Sequence, residues 1–84
     1  MSVEVRMMTA AGCHLCDEAA AVLEAARAEL GFELVRVDIT GDPELEARYR
    51  EHIPVVYVAG RRTFTYFVDP AELRDRVEAA TSAA

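Results

Sequence analysis

Cys13 and Cys16 stand with His14 and Leu15 between them, where an alternating strand pattern gives way to a helical one. Upstream, Val3, Val5 and Met7 alternate with Glu4, Arg6 and Met8, the period of a half-buried strand whose C-terminal end points at the cysteines. Downstream, Leu15, Ala19, Val22, Leu23, Ala26 and Leu30 recur at spacings of three and four, and Asp17, Glu18, Glu24, Arg27 and Glu29 fill the other face. That is one helix, stopped by Gly31. Two thiols at this spacing can close a small disulfide ring or share one metal ion, and little else in the chain could do chemistry.

The remaining elements follow from their own local signals. Leu34, Val35, Val37 and Ile39, interrupted by Arg36 and Asp38, predict a second strand whose mixed pattern suits a sheet edge. Asp42 followed by Pro43 is a helix start, a capping side chain and then a residue whose missing N–H costs nothing there; Leu45 and Tyr49 share one face of that helix. Ile53 to Val58 is a continuous apolar run, as expected of a central strand, with Pro54 at its beginning because proline cannot donate to an interior ladder. Ala59-Gly60-Arg61-Arg62 reads as a solvated turn and Thr63 to Val68 as the returning strand of an antiparallel hairpin. Asp69-Pro70-Ala71-Glu72 has the capping-box arrangement before a last helix whose stripe is Leu73, Val77 and Ala80, with residues 81–84 expected to fray. Tyr49, Tyr57 and Tyr66 lie in apolar patterns and are expected in the core, and His52 is expected to cap or flank the second helix.

Composition bounds the class. A chain of 84 residues is read as one domain, 1–84, that hides about 60% of its unfolded surface, a modest core. Hydrophobic residues at 52% and charged ones at 29% describe a globular chain without a membrane-crossing run. A net charge of −6, with no basic cluster beyond Arg61-Arg62, argues against nucleic acid or an anionic membrane as partner. Ser2, Glu4, Arg6 and Thr9 interrupt any secretory apolar stretch, so the cytoplasm is the expected compartment. Reducing pools there favour a catalytic or metal-binding cysteine pair over a structural staple.

The order β-α-β-α-β-β-α is an α/β arrangement: a βαβ unit sets two parallel strands, a hairpin adds two more, and three helices cover a four-stranded mixed sheet. With Cys13-His14-Leu15-Cys16-Asp17-Glu18-Ala19 opening the first helix, Asp42-Pro43-Glu44-Leu45 before the second and then Ile53-Pro54-Val55-Val56, the chain resembles a thioredoxin-like, glutaredoxin-type family of small proteins with a CxLCDEA signature. The resemblance covers nearly the whole chain. It implies a dithiol disulfide reductase; a monomer with no bound cofactor beyond its own redox-active disulfide is expected. It also implies a cis peptide bond at Pro54 beside the cysteines, with the backbone of Ile53 pairing with an extended substrate. His14, Leu15, Ile53, Pro54 and Asp69 are accordingly the expected substrate-binding residues.

In that layout Cys13 lies at a helix N-terminus, where unpaired N–H groups and the positive dipole end favour a thiolate. Cys13 is then the nucleophile, and Cys16, a turn deeper, resolves the mixed disulfide. Lowering a thiol pKa from about 8.5 to about 6.5 needs roughly 2.7 kcal/mol. A helix dipole typically contributes about 0.3–1 kcal/mol, and up to about 2 in partly buried geometry. The amides of Leu15 and Cys16 are the expected donors for the remainder; His14, when protonated, assists, while Asp17 and Glu18 oppose. Asp38 and Glu18 are the candidates to deprotonate Cys16. Glutathione-using glutaredoxins place a lysine just before the CxxC and a Gly-Gly pair before the acidic residue of the last helix. Here there is no lysine, and Phe67-Val68 precedes Asp69. Glutathione, another low-molecular-weight thiol and a reductase protein therefore all stand as electron donors, with a disulfide-containing protein or small thiol as substrate. Two rivals come from other classes. Cys13, Cys16, His14 and His52 could total four zinc ligands, or the thiols could share an iron–sulfur cluster between chains, although His14 between the thiols points away from a shared site. A non-catalytic module could instead recognise one partner through the Pro54 edge.

Overall fold

The structure is a computed structural model that describes residues 2–83. Its elements are β1 (Glu4–Thr9), α1 (His14–Leu30), β2 (Glu33–Asp38), α2 (Pro43–Tyr49), β3 (Val55–Val58), β4 (Arg61–Thr65) and α3 (Pro70–Ala83). The strands form one mixed sheet in the order β2-β1-β3-β4. β1 and β2 run parallel, Val5 beside Leu34 and Met8 beside Val37. β3 is antiparallel to both β1 and β4, with Val55 beside Met8 on one side and Thr65 on the other. The mixed strand β2 takes an edge and the apolar β3 a central place, as their patterns predict.

Strand periodicity sends alternate side chains of β1 to opposite faces, and both faces are covered near the cysteine end. Val5, Met7, Val56, Val58 and Phe64 pack with Ala19 and Leu23 of α1 and Leu73 and Val77 of α3. Met8 and Val55 pack on the other face with Ile39 and with Tyr49 of α2. Leu23 and Leu73 are fully buried, and truncating either to alanine would cost about 2–5 kcal/mol. Outside the core, Arg74 of α3 pairs with Glu29 of α1, and Arg36 of β2 reaches Glu24 of α1 at 3.2 Å. Such exposed pairs add at most about 1 kcal/mol each.

Local caps set most boundaries. Gly31 ends α1 at φ 77°, its N–H donating to the Arg27 carbonyl at 2.8 Å. Asp42 caps α2 by accepting from the amides of Glu44 and Leu45, and Glu46 reaches back to the Gly41 N–H at 3.1 Å. Asp69 accepts from the Ala71 amide at 2.9 Å to start α3. Glu72 pairs with Arg76 instead of returning to the Asp69 N–H, so the predicted capping box is half made.

Three boundaries differ from the sequence expectation. The hairpin turns on Ala59 and Gly60 alone, at φ 52° and 82°, and Arg61 and Arg62 already belong to β4. Two consecutive positive φ values match the right-handed twist of the flanking strands, which fixes the shorter loop. β4 stops at Thr65 rather than Val68, because Tyr66 adopts φ 72° and breaks the extended run. α3 continues to Ala83 instead of fraying from Thr81, whose hydroxyl donates to the Val77 carbonyl at 2.8 Å; residue 84 lies outside the described residues.

Candidate active site

The C-terminal ends of β1, β2 and β4 and the N-terminal start of β3 lie at one end of the sheet, and all three helices begin there. Cys13 is the N-cap of α1, in extended backbone conformation at φ −91° and ψ 108°. Its Sγ accepts a hydrogen bond from the Cys16 amide at 3.1 Å. The Leu15 amide makes no such bond, so of the two donors expected from the sequence only the second points at the sulfur. Cys13 is half-buried, whereas Cys16, in the first turn of α1, is 1% exposed. The two form a disulfide with a Cα–Cα separation of 5.2 Å.

The charges around the sulfurs are turned outward. His14 is 88% exposed and its Nε2 lies 3.2 Å from Glu18 Oε2, one helical turn on, so its ring sits against a carboxylate rather than over Cys13. Glu18 thereby lies on the surface. Asp38, at the end of β2, accepts from the Thr40 N–H at 2.9 Å. That main-chain bond, with the Thr40 hydroxyl second, holds the exposed Asp38 carboxyl below its ordinary pKa. Neither carboxylate is placed as a buried proton acceptor for Cys16. His52 follows α2, its N–H bonded to the Tyr49 carbonyl at 2.8 Å and its ring facing Tyr66, so it flanks that helix as expected. With His14 and His52 thus engaged, the four-ligand zinc set does not assemble, and among the described residues no three His, Cys, Asp or Glu side chains are grouped to hold a metal ion.

The Ile53-Pro54 peptide bond is cis. Pro54 is buried and Ile53 half-buried immediately before Val55, which pairs with Met8, so the strand register carries Pro54 toward the β1–α1 connection that holds Cys13. Leu15 is half-buried on the first turn of α1, and Asp69, exposed, spends one carboxylate oxygen on the α3 cap at the same sheet end. The sequence-predicted residues are therefore gathered on one end of the molecule.

A family profile described as "Glutaredoxin-like domain (DUF836)" matches residues 4–78. The chain belongs to this glutaredoxin-like family. An uncharacterised protein of Mycobacterium tuberculosis is 34% identical over an alignment of 83 residues that covers 93% of this chain and 86% of that protein. A structural-genomics target from X. campestris is 31% identical and superposes with a TM-score of 0.73 over 89% of this chain and 96% of that one. Chloroplastic thioredoxin z reaches a TM-score of 0.78 over 96% of this chain and 80% of its own at 22% identity, a likeness of fold. This glutaredoxin-like chain thus combines the thioredoxin fold with a cysteine pair at disulfide distance.

Of the three tyrosines expected in the core, Tyr66 lies on the surface here, next to Phe67. Tyr66 is 39% exposed and Phe67 69% exposed, the large hydrophobics left exposed among the described residues. The Tyr66 N–H donates to the Pro54 carbonyl at 2.9 Å and its hydroxyl to the Glu51 carbonyl at 2.8 Å, so the turn after β4 is fastened to the loop that carries the cis proline. Tyr49 is buried and Tyr57 half-buried, their hydroxyls 2.9 Å apart; that bond, with burial second, pushes the Tyr57 pKa up. The departure of Phe67-Val68 from the glycine pair of glutathione-using glutaredoxins was the one signal in the sequence that set this turn apart.

Proposed function

We propose that this glutaredoxin-like protein is a cytoplasmic thiol–disulfide oxidoreductase in which Cys13 attacks and Cys16 resolves. The observation that carries the reading is the asymmetry of the pair: Cys13 caps α1 and accepts the Cys16 N–H, while Cys16 is closed off from solvent a turn deeper. The Cys13 thiolate attacks one sulfur of a substrate disulfide, the substrate S–S bond breaks, and the leaving sulfur departs as thiolate. Cys16 then attacks Cys13 Sγ, releasing the second substrate thiol and closing the Cys13–Cys16 disulfide. The substrate gains two electrons and the protein loses them. With Asp38 and Glu18 turned to the surface, the Cys16 proton passes to a departing substrate thiolate or to water. A thiol donor or a reductase protein then returns the pair to its reduced form.

Leu15 and Ile53, half-buried, and Pro54, buried, would line the approach of an extended substrate, to which the start of β3 would offer strand-type hydrogen bonds. His14 tunes the charge at the rim through its pairing with Glu18. The test is substitution of each cysteine with a disulfide substrate present. Cys16→Ser should accumulate a mixed disulfide, seen by mass spectrometry, and Cys13→Ser should form none; equal behaviour of the two variants would refute the assignment. Glutathione, thioredoxin reductase and other thiols compared as donors would identify the reductant.

A further inference from the structure

The two faces of the sheet are covered unequally. α1 and α3, 17 and 14 residues long, lie on one face; α2 has seven residues and packs its Tyr49 against Met8 and Val55 at the cysteine end of the other. Farther along that second face, Arg6 of β1, Tyr57 of β3 and Arg62 of β4 are cross-strand neighbours. The pairing of β3 with β4 slips by one residue between Val56 and Tyr57, so Tyr57 meets Arg62 where an unbroken ladder would bring Thr63. The Tyr57 hydroxyl lies 2.9 Å from that of Tyr49, and the Arg48 guanidinium stands 5.4 Å from the centre of the Tyr49 ring. A cavity of about 400 Å³ lies here, lined by Glu4, Arg6, Met8, Tyr49, Tyr57 and Gly60. We propose that this face carries a second site, which binds a phosphate monoester: Arg6, Arg48 and Arg62 hold the phosphate beside the tyrosine hydroxyls, and Met8 and the tyrosine rings take the organic part.

The donors decide the class of ligand. Two hydroxyls carry two hydrogens and the bond between them uses one, so the tyrosine pair keeps an O–H to give. Its polar neighbours are guanidiniums, which only donate. Arg6 is paired with Glu4 at 3.2 Å, the one carboxylate that lines the cavity. Arg48 and Arg62 pair with no carboxylate among the described residues, and Arg62 donates to the Thr65 hydroxyl at 3.4 Å. The bond to Tyr49 and burial raise the Tyr57 pKa while the charges of Arg62 and Arg48 lower it, which puts both guanidiniums within electrostatic reach of the hydroxyl. Two uncompensated cations match a dianion. A phosphate monoester carries about 1.5 to 2 negative charges near neutral pH and three acceptor oxygens, which guanidinium forks meet in pairs. The cavity is larger than a phosphate group and falls within the range of about 300–1,000 Å³ of small-molecule sites. The three arginines lie far apart in a chain of net charge −6, so only the sheet brings them together.

Phenyl phosphate, its singly charged isostere phenyl sulfate, and inorganic phosphate would each be titrated into the oxidised chain at one salt concentration, followed by NMR shifts of the backbone amides and tyrosine rings. No turnover is needed, so the outcome is independent of the oxidoreductase reading. Phenyl phosphate should saturate the protein, move the signals of Arg6, Tyr57 and Arg62, and bind about tenfold more tightly than phenyl sulfate and several-fold more tightly than inorganic phosphate. Arg62→Gln and Tyr57→Phe should each weaken it about fivefold or more. Arg61→Gln should leave it unchanged, because Arg61 is paired with Val58 and lies on the opposite face, beside Ala79 and Ala80 of α3. Absence of saturation up to about 10 mM, or a loss in Arg61→Gln as large as in Arg62→Gln, would overturn the site. Equal affinity for phenyl sulfate or for inorganic phosphate would overturn its assignment to a phosphate monoester.

Discussion

α1 and α2 begin in nearly the same backbone conformation and use different atoms to do so. The N-cap of α1, Cys13, sits at φ −91° and ψ 108°; that of α2, Asp42, sits at φ −104° and ψ 104°. Both present an acceptor to the first-turn amides, but Asp42 takes two N–H groups and Cys13 Sγ takes one. Cysteine is not among the residues that helix starts ordinarily prefer, so α1 gives up capping strength for an acceptor that can also form a bond to another sulfur. On the proposed reading, the same main-chain dipoles would serve stability at one helix and nucleophilicity at the other. The thiolate reading predicts that α1 is capped best when Cys13 is reduced and ionised.

The widest separation between the two caps is in turnover. Cys13→Ser should reduce disulfide reductase activity to background, whereas Asp42→Ala should leave it at the wild-type level when assayed well below the unfolding temperature. Next comes ionisation of the reduced protein: the rate of Cys13 alkylation against pH should show a midpoint below the free-thiol value of about 8.5, and a midpoint at or above that value would remove the α1 start as the source of reactivity. The caps can then be exchanged. Cys13→Asp, inactive, should be more stable to urea than Cys13→Ala by about 0.5–2 kcal/mol, and Asp42→Ala should lose about 1 kcal/mol. Equal stability of the two Cys13 variants would mean that the α1 terminus draws no support from an anion. The smallest effect belongs to Asp38, just before α2. Its folded pKa is depressed by the Thr40 bonds, so its contribution is present above the unfolded value of about 3.9 and fades as pH falls through the folded one. Asp38→Asn should therefore flatten the acid limb of stability slightly and change nothing near neutrality.

These caps also mark what could be read from the chain. Gly31, Asp42-Pro43 and Asp69-Pro70 act within a few residues of themselves, so their helices begin or end where their sequences predict. β2 and β3 were placed at the edge and centre because burial on one or two faces writes itself into the apolar pattern. The end of β4 was not legible: Tyr66 and Phe67 have high strand propensity, and what turns the chain out of the sheet is bonding to Glu51 and Pro54, residues distant in sequence. The cis bond at Pro54 followed from family resemblance, since only about 5–6% of X-Pro bonds in folded proteins are cis. At the site, the spacing of Cys13 and Cys16 carried the pair, but which amide faces the sulfur and where His14 leans depend on rotamers that no spacing encodes.

The Ala59-Gly60 turn lies at the sheet end opposite Cys13, beyond the Val58–Arg61 pair. A tether or fluorophore installed there would anchor the molecule by its blunt side. An immobilised array made this way would hold every sulfur pair toward the flowing solution.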